Sequence, residues 1–60
     1  MELQELKDAV VKNLVTTHNF IVEEAETTVE ESLTKDAGMW NVNASPEDIA
    51  KYLASDENDE

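Results

Sequence analysis

The sequence predicts an all-α protein that folds as a compact three-helix bundle. In three stretches the apolar residues recur at steps of three or four, which places them along one face of a helix. The only glycine and the only proline of the 60 residues lie outside the interiors of these stretches. We therefore expect a single domain over residues 1–54 and a disordered acidic tail over residues 55–60, whose composition is too polar to build a core.

The first helix is predicted over residues 2–16, where neither glycine nor proline interrupts the pattern. Its main apolar stripe is formed by Leu3, Leu6, Val10 and Leu14. Val11 and Val15 lie beside that stripe and give the helix a second, partly apolar flank. Together with Phe20, this flank is either the rest of the core face or a patch for a dimer or a partner. Residues 16–19 are weak helix formers and predict a turn.

The second helix is predicted over residues 21–35. Its apolar stripe consists of Val22, Ala25, Val29 and Leu33. Glu23 and Glu24 lie in its first turn, where the positive end of the helix dipole favours carboxylates. Gly38 follows the pattern, as is typical of a residue that ends a helix.

The third helix is predicted over residues 46–54. Ser45 is a suitable N-cap, Pro46 suits the first helical position, and two acidic residues follow them. The apolar face of this helix is formed by Ile49, Ala50 and Leu53. The linker over residues 37–44 has no period, and we expect its large apolar residues to fold back over the core.

Composition leaves little apolar material for a core. Five Leu, two Ile, six Val and one Phe make 14 of the 60 residues, just above the fraction of roughly 20% below which highly charged chains tend to be disordered. A domain of this size buries only about 60% of the surface of its unfolded chain. The three stripes, facing one centre, predict a core of Leu6, Val10, Leu14, Phe20, Val22, Ala25, Val29, Leu33, Ile49 and Leu53.

Charge and composition exclude several classes of protein. The formal net charge is −11, from 15 acidic residues against four lysines. Direct binding to nucleic acid or to an anionic membrane needs clustered Lys and Arg, so neither is expected. There is no cysteine for a disulfide or a thiolate metal site. No run approaches the roughly 20 apolar residues of a membrane span, and no signal-peptide pattern is present. We expect a cytoplasmic protein.

The sequence contains no pattern typical of a catalytic or metal site. His18 is the only histidine, and no nucleophile motif accompanies it. Asp36 and Glu47 stand at the first and twelfth positions of a loop of EF-hand length, but Gly38 and Trp40 occupy positions that need oxygen ligands. We therefore predict that the protein is not an enzyme and holds no cofactor or metal.

The negative charge is concentrated on the second helix. Residues 21–36 carry six acids and one lysine, which is −5 of the total −11. At 100° per residue, Glu23, Glu26 and Glu30 form one line along the helix, which we term the acidic ridge. We expect this ridge to face away from Val22, Val29 and Leu33. The ridge is either an ordinary solvated surface or a face that attracts a basic partner.

Met39 and Trp40, in the linker, also allow two interpretations. Large aromatic side chains supply much of the burial in small domains, so both residues are expected to close the core. Trp is also enriched at binding hot spots, where it anchors in the pocket of a partner. We favour the core interpretation and keep the second as an alternative.

Several residues along the chain match one known pattern. They are Leu14 in the first helix, Asn19-Phe20 at the first turn, Ala25, Val29 and Ser32-Leu33 in the second helix, and Ile49 to Leu53 in the third. With these residues, the arrangement resembles the ubiquitin-associated (UBA-like) helical domain. It implies a three-helix fold and an adaptor role through protein binding. The ubiquitin-binding turn of that family usually reads Met-Gly-Phe, whereas this chain has His18-Asn19-Phe20.

Two functional hypotheses follow. In the first, the chain is a small acidic, non-enzymatic interaction module, a UBA-like adaptor that binds a protein partner through an apolar patch rimmed by acidic residues. The candidate partner-binding residues are Glu23, Glu26, Glu30, Met39 and Trp40. In the alternative, it is an acidic inhibitor that mimics DNA. Such an inhibitor occupies the nucleic-acid site of a basic protein, as phage-encoded mimics do. Mimic binding should weaken steeply with salt, whereas an apolar patch tolerates salt. The oligomeric state stays open.

Overall fold

Three α-helices and one short 3-10 helix make up the fold. A computed structural model of the chain describes residues 2–41 and 43–58. The elements are α1 (Leu3–Thr17), α2 (Val22–Lys35), the 3-10 helix (Ala37–Met39) and α3 (Pro46–Asn58). No strand occurs in the part of the chain described. The prediction of an all-α three-helix bundle is confirmed, and the bounds of α1 and α2 differ from the predicted ones by no more than one residue.

The third helix is longer than predicted. It ends at Asn58 instead of Ala54, so Ser55–Asn58, which the sequence assigned to the tail, continue the helix. Neither glycine nor proline follows Ala54 to stop it. Ala54 is buried one turn after the buried Ala50, so packing holds the helix as far as its predicted end. The remaining tail residues, Asp59 and Glu60, lie outside the described residues.

The turn after α1 depends on one residue in the left-handed conformation. Asn19 has a φ of 63°, which asparagine tolerates better than other residues with a side chain, glycine excepted. The backbone N–H groups of His18 and Phe20 both donate to the carbonyl of Leu14, at 3.1 and 3.0 Å. The chain thereby reverses direction, and α2 packs back against α1.

The core is centred on α1, which packs against both α2 and α3, while those two helices contact each other less. The radius of gyration is 10.2 Å, close to the value of about 10.4 Å for a compact domain of this length. The buried apolar residues form one cluster: Leu6, Val10, Leu14, Ala25, Val29, Trp40, Ile49, Ala50, Leu53 and Ala54.

Most of the predicted core is confirmed, and one residue is corrected. Phe20 and Leu33 are only partly buried, but both pack against the cluster. Val22 was predicted to be buried and is 53% exposed. It is the first residue of α2, so no earlier turn of its own helix shields it, and it borders a groove between α1 and α2. The cluster also contains Trp40, which was expected to close the core, and Ala50, which was placed on the apolar face of the third helix. Only the burial of Ala54 was not predicted.

The central role of α1 predicts unequal costs for the same substitution at two leucines. Leu14 is completely buried, and Leu3 on the same helix is 51% exposed. Leu14→Ala should lower the free energy of unfolding by about 2–5 kcal/mol, because it removes core contacts and leaves a cavity. Leu3→Ala is the matched control and should cost less than about 1 kcal/mol. Urea denaturation followed by circular dichroism measures both, and equal losses would contradict the difference in burial between Leu14 and Leu3.

The left-handed turn predicts a second pair of effects. Asn19→Val should lower the free energy of unfolding by about 1–2 kcal/mol, because a β-branched side chain is strained at positive φ. Asn19→Gly should stay within about 1 kcal/mol of the parent chain, since glycine adopts this conformation freely. Thermal melts of the two variants measure these effects. Equal stability of the valine and glycine variants would contradict the left-handed conformation at Asn19.

Candidate functional site

Trp40 is held in the core by the linker that follows α2. Only 8% of this residue is exposed. Its indole Nε1–H donates to the hydroxyl oxygen of Ser32 at 2.9 Å. The backbone N–H groups of Met39 and Trp40 donate to the carbonyls of Asp36 and Ala37, which forms the 3-10 helix before the indole. These positions fit the core interpretation of Trp40, in which the ring closes the bundle instead of facing a partner.

Ser32 is the residue that sequence reasoning missed at this place. It is 4% exposed and is a buried polar residue on α2. A buried indole N–H needs an acceptor, because leaving it unpaired costs free energy. A signal was present in the sequence: Ser32 continues the spacing of Ala25 and Val29 at steps of four and three, so it faces the core.

The linker beyond Trp40 is organised by Asn41. Its side-chain nitrogen donates to the carbonyl of Gly38 at 3.2 Å, and its side-chain oxygen accepts the backbone N–H of Asn43 at 2.9 Å. The backbone N–H of Ala44 donates to the carbonyl of Asn41 at 3.0 Å. This side chain therefore bonds to the backbone on both sides and supports the segment that carries Trp40.

The bond between Trp40 and Ser32 predicts an energetic coupling. Ser32→Ala should lower the free energy of unfolding by about 1–3 kcal/mol, because the indole N–H is left unpaired in the core. In the background of Trp40→Phe, which lacks that N–H, the same change should cost much less. A double-mutant cycle by urea denaturation measures the coupling, with the exposed Thr27→Ala as control. Additive effects in the cycle would contradict the hydrogen bond.

The acidic ridge lies in solvent along α2. Glu23, Glu26 and Glu30 are all exposed. The rise from the first to the last is about 10 Å, at 1.5 Å per residue. Glu24 and Glu31 are exposed as well, so α2 presents carboxylates over much of its outer surface.

A groove runs between α1 and α2, with a volume of about 480 Å³. Its apolar part is formed by four valines: Val11, Val15, Val22 and Val29. Val29 is buried, Val11 and Val15 are half-buried, and Val22 is exposed. We term this site the α1–α2 groove. It contains the second apolar flank of α1, for which the sequence left both a core role and a patch role open.

The two sides of the α1–α2 groove carry different charges. Glu26 and Glu30 line it from α2, so two of the three ridge carboxylates border the valines. Lys7, Asp8 and Lys12 line it from α1. The amide of Gln4 donates to a carboxylate oxygen of Asp8 at 3.3 Å. The α2 side is therefore negative, and the α1 side carries one positive charge in excess.

The predicted partner-binding residues thus fall into two places. Glu26 and Glu30 border the groove, and Glu23 lies further along the same exposed line. Met39 and Trp40 do not line the groove; Trp40 lies in the core and the partly buried Met39 packs against it. A second depression, lined by Glu30, Glu31, Thr34 and Lys35, has no large apolar side chain. The α1–α2 groove, in contrast, brings apolar and acidic side chains together.

Two further searches concern metals and membranes. Within residues 2–41 and 43–58, no group of three or more His, Asp or Glu is positioned to hold a metal ion. No helix over the same residues has the length and apolar character needed to span a membrane.

Comparisons of the chain with known protein families, with curated proteins and with solved structures find no match. The features of this chain that bear on its function are therefore the α1–α2 groove and the charges around it.

Proposed function

We propose that this chain is a small, non-enzymatic protein-interaction module, a UBA-like adaptor, that binds a basic protein partner through the α1–α2 groove. The observation that carries the proposal is an apolar strip beside carboxylates: Val11, Val15 and Val22 lie next to Glu26 and Glu30. This is the apolar patch with an acidic rim that the sequence suggested, built from the second flank of α1 instead of the Trp40 linker.

The valines supply the affinity in this proposal. Burial of apolar surface contributes about 25 cal/mol per Å². Val22 is 53% exposed although the chain has few large apolar residues to spare for its core. A groove of about 480 Å³ offers a small contact area, so the complex belongs to the weak, transient class of interactions.

The carboxylates supply attraction and selectivity. With a net charge of −11 on 60 residues, the acidic side chains repel one another, and this repulsion destabilises the folded state. The same charge accelerates encounter with a basic partner and discourages acidic ones. Screening confines this effect to about 8 Å at physiological salt, so the carboxylates at the groove, Glu26 and Glu30, matter most once the partner is seated.

The UBA-like part of the proposal is supported by the first turn. Asn19 adopts the left-handed conformation there, which glycine adopts at least cost. That is the position of glycine in the Met-Gly-Phe turn of the family that the sequence resembles. The match concerns the turn conformation, and the partner proposed here is identified by its charge and not by that family.

The proposal predicts that the position of the carboxylates matters, and not only their number. Glu26→Lys with Glu30→Lys should reduce retention of a host protein on the immobilised chain by about tenfold or more, because each reversal replaces attraction by repulsion at the groove. The matched control is Glu24→Lys with Glu31→Lys, which makes the same change of charge on the same helix, away from the groove valines. A pull-down from host lysate with mass spectrometry measures retention of the same partner by all three chains.

A second arm uses salt to separate the two functional hypotheses. Binding by the groove should persist at about 0.3 M salt, because apolar contacts are not screened. If both double variants lose the partner equally, and salt removes it from the parent chain, the acidic DNA-mimic alternative is favoured and the groove proposal is refuted.

A further inference from the structure

We infer, on the basis of the proposed function, that the occupant of the α1–α2 groove is an amphipathic helix of the partner. Its apolar stripe faces the valines, and Lys or Arg residues lie on the flank that covers α2. The inference rests on three properties of the groove: the backbone of its walls, the shape of its apolar strip, and the unequal charge of its two sides.

The walls favour a helical occupant over an extended one. Both walls are α-helices, whose backbone groups bond within each helix, and no strand in the described part of the chain offers a sheet edge. An extended segment in the groove would leave N–H and C=O groups unpaired against apolar side chains, which costs free energy for each group. A helix pairs its own backbone groups and does not incur that cost.

The dimensions of the groove match a short helix. Its lining on α1 extends from Gln4 to Thr16, a rise of about 18 Å, or three to four turns. Val11 and Val15 lie one turn apart on α1, and Val22 and Val29 lie two turns apart on α2. Valine side chains are short and stiff, so they form a shallow strip that longer side chains at steps of three and four can reach.

The charges orient the occupant. Glu26 and Glu30 lie one turn apart on the α2 side, so they match two basic residues that are one turn apart on the facing flank. The α1 side, with Lys7 and Lys12 around Asp8, favours a neutral or acidic flank. A second copy of this chain is disfavoured, because two molecules that each carry −11 repel one another.

The test is an NMR titration of the full 60-residue chain, labelled in its backbone amides and valine methyl groups. The probe is a synthetic 18-residue helical peptide with leucines at steps of three and four, lysines on one flank and glutamates on the other. One control peptide has the same composition in scrambled order, and a second has glutamates in place of the lysines. The first peptide should shift the signals of Val11, Val15 and Val22, with at least about tenfold tighter binding than either control.

Two variants locate the binding. Val22→Ser should weaken the binding of the helical peptide by about three- to tenfold, because it removes an exposed apolar contact. Ile21→Ser is the matched control: it is the neighbouring residue, 61% exposed, and does not line the groove. It should leave binding unchanged. Because both side chains are exposed, the fold should survive in both variants, and circular dichroism checks this.

Three outcomes would overturn the inference. If the scrambled peptide binds as tightly and shifts only the signals of the α2 carboxylate residues, binding at this surface is purely electrostatic. That outcome refutes both the helical occupant and the proposed function of the groove. If no peptide binds, while the host partner still depends on Glu26 and Glu30, the occupant is not a helix and the proposed function stands. If the free chain sediments as a dimer that Val22→Ser dissociates, the occupant is a second copy of the chain.

Discussion

The apolar face of α1 is the feature on which the rest of the structure depends. Leu6, Val10 and Leu14 are completely or almost completely buried, and the helix that carries them contacts both of the others. A domain of about 60 residues buries a smaller share of its surface than a larger one, so a few side chains carry most of its stability. Trp40 is therefore drawn from the linker into the core, and its N–H requires the buried hydroxyl of Ser32.

Because the chain has few large apolar residues, those that stay partly exposed around the core are informative. An isolated exposed valine on a protein surface needs no explanation. Here, however, Val22 is exposed beside the half-buried Val11 and Val15, in a groove that Glu26 and Glu30 border. Apolar and acidic groups therefore lie together in this groove, where the proposed basic, amphipathic segment would gain both burial and charge pairing. Trp40, in contrast, is buried in the bundle and donates its N–H to Ser32, so it does not form part of this surface.

Local signals predicted the elements of this fold well. The spacing of the apolar residues identified all three helices, and Ser45-Pro46 marked the start of α3 correctly. The end of α3 was predicted four residues too early, because the residues after Ala54 are uniformly polar. Polar residues do not by themselves end a helix, and neither glycine nor proline follows Ala54 to stop it before Asn58. The exposure of the acidic ridge was predicted correctly. The expectation that it faces away from Val22 and Val29 was wrong, because Glu26 and Glu30 border the groove that these two valines line.

The class of fold, the approximate helix bounds, most of the core and the exposure of the acidic ridge could be predicted from the residues alone. Each of these follows from the period of a single helix and from the preference of charged side chains for water. Three features emerge only when the helices pack: the position of Val22 at a groove, the bond from Trp40 to Ser32, and the lysines and glutamates on opposite sides of one site. These features depend on how far one helix extends along its neighbour and how the linker folds back. A helical period describes one element, and it carries no information about the distance to the next.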